Sequence, residues 1–201
     1  MRTPSKTQAI DYPGRRFGFT LLEILVVIVI ITVLAGLLIP GIRAAKESAN
    51  QTACASNLRQ IGIALLAYHN DYNRLPIGWA GEDYTWNSSL KGYLTTYNAG
   101  GEINRVRIQL SCPSVPRINE YHYNYMYNDN LFFKNIGSLT KPSLRPIVTD
   151  ADDVATNLTL TGNVKQAHHG GANYLYLDGR VQWKKDPPDE AAWQGTGPEF
   201  Q

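Results

Sequence analysis

The sequence predicts an α+β protein: a long, kinked N-terminal helix, membrane-spanning in its first half, packed through its second half on a small antiparallel β-sheet head. Three observations predict it. Residues 19–39 read FTLLEILVVIVIITVLAGLLI, 21 residues with a single charged group, Glu23. Cys54, Leu58, Ile61, Leu65, Tyr68 and Tyr72 then recur at spacings of 4, 3, 4, 3 and 4, one face of an amphipathic helix. Later segments alternate with period 2 and turn on Asp-Gly. The bulk averages hide this division. The chain has 201 residues, 43% hydrophobic, with 19 Lys+Arg against 17 Asp+Glu and a net charge of +2. That balance excludes a strongly basic nucleic-acid binder. Two cysteines are too few for a disulfide-dense scaffold or a four-cysteine zinc site.

Residues 1–18 are a polar leader with Arg2, Lys6, Arg15 and Arg16 against Asp11. Residues 19–39 as a helix would span ~30 Å, the thickness of a bilayer core. A buried soluble helix is the alternative, but few are apolar all round for this length. Beyond the run stand Arg43 and Lys46 with Glu47, so the heavier positive charge of the leader favours a cytoplasmic N-terminus and an exported C-terminal part. A secretory signal would have a shorter apolar core and a small-x-small cleavage site after it. Here the run passes into Pro40, Gly41 and the amphipathic segment 40–76, so the apolar helix is kept. Pro40 removes a backbone donor and is expected to kink the helix, with Gly36 and Gly41 easing the bend. From Phe19 to His69 the helix would be ~75 Å long, with stops at Asn70, Asn73 and Pro76.

Gly18-Phe19-Thr20-Leu21-Leu22-Glu23, following Arg15-Arg16 and opening an apolar helix, resembles the cleavage signal of type IV pilins and type II secretion pseudopilins. The resemblance implies that a prepilin peptidase cuts after Gly18 and that the new N-terminus, Phe19, is N-methylated. Glu23 becomes the fifth mature residue, where that family keeps a glutamate, and Pro40 falls at the family's helix-kinking proline. The stretch SNLRQIGIALLAYHNDYNRLP also resembles the helix exit of the type II secretion major pseudopilin.

Glu23 raises a physical question without the family. A carboxylate in the hydrocarbon core costs roughly 2.5–3.5 kcal/mol on insertion scales. After cleavage the cations within reach are α-amino groups, the chain's own or a neighbouring subunit's, and an inter-subunit pair would favour assembly and set axial register. The alternative is that Glu23 sits in the headgroup region and snorkels.

Residues 77–185 read as a β-rich head of short strands and turns, and residues 186–201 as a flexible tail. Tyr121, Tyr123, Tyr125 and Tyr127 alternate onto one strand face, either an aromatic recognition platform or a face packed on the long helix. Asp178-Gly179 joins Ala172–Leu177 to Arg180–Trp183. A two-residue turn with both residues at positive φ would pair Tyr176 with Val181 and Tyr174 with Trp183.

His168-x9-Asp178-Gly179, with Ser111-Cys112-Pro113-Ser114, resembles the motif of prepilin-type H-X9-DG proteins; no chemical role comes with it. His168, His169, Asp178 and the cluster Asp150, Asp152, Asp153 offer a metal reading, and the major pseudopilins bring calcium into view. No EF-hand spacing supports it, and otherwise no cofactor is indicated. The plainer reading is that Asp178 serves the turn and the histidines open a strand. Cys54 on the inward stripe and Cys112 at a strand end form a candidate disulfide across 57 intervening residues, worth roughly 4 kcal/mol in chain-entropy models, with two buried reduced thiols as the alternative.

The function expected is a structural subunit of a type IV pilus-like or type II secretion pseudopilus filament. Its expected partners are the prepilin peptidase, other pilin-like subunits, the inner-membrane assembly platform and, before assembly, the lipid bilayer; no nucleic acid is indicated. Its place would be the inner (cytoplasmic) membrane as a single-pass protein, N-terminus cytoplasmic and head exported to the periplasm or cell surface. The alternative is a low-abundance minor pilin or membrane-anchored binding module with a Tyr-rich head. An envelope metal hydrolase lacks HExxH, Gly-x-Ser-x-Gly or a phosphate loop, so no enzyme is expected.

Overall fold

The structure, a computed structural model, describes Gly18 and residues 20–77, 86–94, 96–97, 103–104, 112–115, 125–150, 157–158 and 167–200. The chain divides into two compact units, Met1–Arg43 and Ala44–Gln201. Helix α1, Leu21–Tyr72, runs as one element of 52 residues through Pro40 and by length and composition is able to cross a membrane.

In the first unit, α1 opens on a reciprocal pair. The Thr20 N–H and hydroxyl donate to Glu23 Oε2 at 2.8 and 2.9 Å, and the Glu23 N–H donates back to Thr20 Oγ1 at 3.3 Å. This is a capping box: two of the orphan donors at a helix start are satisfied by the residues three apart. Beyond it the large apolar side chains from Leu21 to Ile42 are 47–83% exposed.

In the second unit, α1 buries Cys54, Leu58, Ile61, Gly62, Ala64 and Leu65, the stripe the spacing predicts. Toward its end the stripe emerges: Tyr68 is partly buried against the core, and Tyr72, the last residue of the helix, is exposed. Asn73 takes a left-handed conformation (φ 53°) and its N–H donates to His69 O at 2.7 Å, an αL cap that closes the helix. Gly62 matters for the approach of helix to sheet: a Cβ there would meet Leu175 Cδ1 at 3.0 Å.

Short helices α2 (Trp86–Ser89) and α3 (Lys91–Leu94) precede a two-stranded antiparallel pair, β1 (Thr96–Tyr97) and β2 (Ile103–Asn104). The main sheet has five strands: β3 (Tyr125–Asn128), β4 (Pro146–Asp150), β5 (Asn157–Leu158), β6 (Ala172–Tyr176) and β7 (Val181–Lys184), in the order β5-β3-β4-β6-β7. All pairs are antiparallel except β3 with β5. Period-2 alternation divides its side chains between two cores. Tyr125, Tyr127, Ile147, Val148 and Leu175 join Leu58, Ile61 and Leu65 of α1, whereas Met126, Ala172, Tyr174 and Tyr176 join Trp193. A register shift between Pro146 and Val148 accompanies the two consecutive residues, Ile147 and Val148, that share one core.

The hairpin forms where Asp-Gly predicts it, but one residue out of register. The pairs are Leu175 with Val181, Tyr174 with Gln182 and Asn173 with Trp183. The loop has three residues, Leu177-Asp178-Gly179, closed by Tyr176 N–H to Arg180 O at 2.8 Å, and only Gly179 has positive φ (84°). Leu177 is buried in the α1-facing core, which draws it into the loop and shifts every pair.

The tail is a second correction. Residues 186–200 fold rather than trail. Helix α4, Glu190–Gln194, starts on Asp189, whose side chain accepts the Ala192 N–H, and ends on Gly195 at φ 68°. Trp193 packs edge-on against Tyr174, and its carbonyl accepts Asn128 Nδ2 at 3.0 Å. The Arg145 guanidinium reaches Gln194 O and Gly195 O and lies over the Phe200 ring. Trp193→Ala is therefore expected to destabilise the head by about 3–5 kcal/mol, the usual range for emptying a buried tryptophan site; denaturant unfolding of the detergent-solubilised chain measures it.

Candidate functional site

The H-x9-D-G histidine is the centre of a buried polar cluster among the described residues of the head. His168 is fully buried. Its backbone forms a two-way bridge with Gly171, and its carbonyl accepts Trp183 Nε1 from β7 at 3.2 Å, so β6 and β7 fix its place. Its ring Nδ1 lies 2.6 Å from Glu47 Oε1 on α1, and Nε2 lies 3.3 Å from Asp150 Oδ2 at the end of β4 and 3.1 Å from Cys112 Sγ. Cys112 Sγ in turn is 2.6 Å from Cys54 Sγ on α1, and both cysteines are free and buried.

Each carboxylate has further partners. The Asn173 N–H and side-chain amide donate to the two oxygens of Asp150, each at 2.6 Å, and the Ser114 hydroxyl donates to Glu47 Oε2 at 2.7 Å. With an acidic oxygen facing each ring nitrogen, His168 is held as an imidazolium. Burial alone would depress its pKa, but the hydrogen bonds to Asp150, Cys112 and Glu47 prevail and raise it to about 10. Glu47 loses some hydration, yet His168 and Ser114 hold its carboxyl below the usual range. The Cys54 thiol and, against burial, the His168 ring draw Cys112 down to about 6, and Cys54, its thiol donating a hydrogen bond to Cys112 and buried, is driven up.

The structure thus brings together His168, Cys54, Cys112 and Asp150 of the sequence candidates and leaves others apart. Asp178 serves the turn: its Oδ1 accepts the Arg180 N–H and Oδ2 lies 3.7 Å from Arg180 Nε. His169 is exposed at φ 48°. Asp152, Asp153, Tyr121, Tyr123 and Phe19 lie outside the described residues. Tyr125 and Tyr127 are fully buried against α1, so the packing reading holds for these two and no platform forms from them. The sequence presents Glu47 only as one of the charges beyond the apolar run; it stands seven residues, two turns, before Cys54 and belongs to the same face. Ser114 stood out only as part of the Ser111-Cys112-Pro113-Ser114 run and Asn173 only within the Ala172–Leu177 strand, neither as a site residue.

The charge pattern sets a sign for pH. The ordinary histidine pKa of 6.5 is raised to about 10 in the fold, so the stabilisation His168 provides is complete below pH 6.5 and is lost as pH rises through about 10. His168→Gln, which cannot carry the charge, is expected to lower stability by about 3–5 kcal/mol below pH 6.5. The gap from wild type should close as pH approaches 10 in denaturant titrations at stepped pH; a gap independent of pH would contradict the imidazolium assignment.

Against known families, residues 14–39 match the prokaryotic N-terminal methylation motif, and residues 43–97 match the family described as "Protein of unknown function (DUF1559)". The chain is similar to type II secretion system core protein G of Aeromonas hydrophila, 39% identical over 93 residues, covering 46% of this chain and 65% of that protein. The Escherichia coli K12 protein of the same name is 37% identical over 105 residues, 52% of this chain and 68% of its own. The Pectobacterium carotovorum one is 47% identical over 62 residues, 31% and 40%. The chain thus spans less than two thirds of the Aeromonas and Pectobacterium relatives. No solved structure matches it. On the combined match of signal, helix and relatives, the chain belongs to the family of type II secretion system core protein G, the prepilin-like pseudopilins.

Proposed function

We propose that the chain is a structural subunit of a type II secretion pseudopilus. In this reading a prepilin peptidase cleaves between Gly18 and Phe19, Phe19 is N-methylated, and α1 then leaves the bilayer to pack among the α1 helices of other subunits on the inner-membrane assembly platform. The observation that carries it is the first half of α1. Its apolar side chains are exposed along the whole run, and one carboxylate stands at its start. Such a surface needs lipid or other copies of itself to cover it. Head-to-tail contacts between identical subunits that do not close generate an open helical fibre.

Charge supports the orientation of this reading: four cations in the leader against Arg43 and Lys46 beyond the helix favour a cytoplasmic N-terminus and an exported head. No catalytic chemistry is required of the subunit.

Two substitutions in the native host test the reading. Gly18→Val is expected to leave the chain at precursor mass on an immunoblot. Glu23→Gln keeps the hydrogen-bonding residue of the capping box but removes the charge. Filament incorporation is expected to fall about tenfold or more, the scale of a lost charge-assisted pair of roughly 1.5–3 kcal/mol, while the mature chain stays in the membrane. Wild-type filament yield from either variant would defeat the proposal.

A further inference from the structure

Cys54 and Cys112 stand 58 positions apart, yet their sulfurs touch inside the head beside the His168 ring. Two chemistries use such a set. The first is a thiophilic divalent ion. Cys54, Cys112 and His168 present ligand atoms within 4.8 Å of one another, and zinc sites take this donor set. The surroundings do not suit an ion. Asp150, the natural fourth ligand, already accepts from Asn173 on both oxygens. Two thiolates with Asp150 and Glu47 would exceed a divalent ion's charge by two, in a site where Cys54, His168 and Asp150 have no exposure at all. The second chemistry is oxidation. A disulfide carries no charge, and it leaves the imidazolium balanced between two carboxylates.

We propose that Cys54 and Cys112 are joined by a disulfide in the exported head, and that His168 is the group that makes Cys112 the reacting sulfur. The inference rests on the export of the head proposed above, because an oxidising compartment is what sustains such a bond. The reactive order follows from the geometry. His168 Nε2–H faces the Cys112 sulfur and stabilises its thiolate, as a neighbouring imidazolium does in reactive cysteines. Among the described residues the imidazolium's hydrogen bond goes to Cys112 and not to Cys54, whose sulfur contacts Cys112 and, more weakly, Tyr125, and whose ionisation the nearby Asp150 charge opposes.

The step balances with a disulfide as oxidant. The Cys112 thiol gives its proton to solvent, and its thiolate attacks one sulfur of the oxidant. The oxidant's S–S bond breaks and one thiolate leaves. The Cys54 thiolate, its proton also passed to solvent, attacks Cys112 in the mixed disulfide and expels the second thiolate. The two cysteines lose two electrons and two protons, and the oxidant is reduced to two thiols. The bond would tie α1 to the 112–115 turn at the point where Glu47 and Ser114 already join. It would give the H-x9-D-G histidine a chemical task besides its place in the fold.

The full mature chain, purified in detergent without reductant from its native host, is the material for the test. Thiol titration under denaturing conditions is expected to find no free thiol and a mass lower by two hydrogens than after reduction. Two free thiols in the host-purified chain together with failure to re-form the bond in vitro, or zinc retained one per chain, would overturn the disulfide. Reduced chain refolded with oxidised glutathione is expected to re-form the bond. If it does so in vitro while the host-purified chain is reduced, the pairing stands and the export reading fails. His168→Asn and His168→Gln, each checked for cooperative unfolding, are expected to raise the pH midpoint of Cys112 alkylation by at least about one unit in a Cys54→Ser background. They should also slow reoxidation at pH 6 about tenfold, one pKa unit being a factor of ten. Loss of stability with an unmoved midpoint would overturn the role given to His168.

Discussion

A carboxylate without solvent must be met by donors, and the fold of the head can be read as the way this chain meets Asp150. Both oxygens of Asp150 are held by Asn173 at the start of β6, and the remaining direction is filled by His168. His168 then needs an acceptor for its second nitrogen, and Glu47 of α1 supplies it. Three elements distant in sequence are thus fixed by one chain of charges. Hydrophobic burial of Leu58, Ile61 and Leu65 against Tyr125, Tyr127 and Leu175 drives helix and sheet together, but burial is non-directional. The charged chain supplies direction: α1 sliding by one turn would keep an apolar stripe in the core while pulling Glu47 off His168.

This gives the spacing of the H-x9-D-G motif a physical meaning. His168 and Gly171 close a tight backbone bridge, β6 carries the chain across the sheet, and Asp178 and Gly179 reverse it. The returning strand places Trp183 so that its indole N–H meets the His168 carbonyl. Lengthening the spacer by one residue would turn the alternate side chains of β6 to the opposite face. Leu175 would then leave the α1-facing core and Tyr174 would leave Trp193. The motif is a hairpin with its charged end and its turning end both specified.

The parts of this architecture set by local pattern were legible in the sequence. The apolar run, the stripe from Cys54 to Tyr68 and the Asp-Gly turn depend on neighbours within a few residues. The hairpin register was not legible, because Leu177 is drawn into the loop by a core formed with distant residues. Helix α4 was passed over although its signals are present, Asp189 as N-cap, Gly195 as C-cap and Trp193 between; five residues are too few to show a helical period. Glu47 was missed because a charged residue two turns from a cysteine looks like solvated surface until His168, far along the chain, arrives beside it. The capping box of Thr20 and Glu23 had a readable Thr-x-x-Glu signature, masked by the stronger question of what a lone carboxylate does at the head of an apolar helix.

That capping box also refines the proposed assembly step. In the chain as described, Glu23 is not an unpaired charge seeking a partner: Thr20 occupies one of its oxygens with two hydrogen bonds. One oxygen of the carboxylate is therefore spent on the helix, and the other, which has no hydrogen bond among the described residues, is the acceptor available to an amine. Cleavage after Gly18 would remove neither Thr20 nor the cap, since both lie beyond the scissile bond, but it would create an α-amino group one residue from Thr20. A carboxylate fixed by its cap in a single orientation presents its free oxygen in a defined direction, with less side-chain entropy left to lose on pairing. Pairing with a neighbouring subunit's amine then becomes sensitive to axial register. The same constraint operates in the head around Asp150: a carboxylate held on one side by its own chain is a directional acceptor on the other.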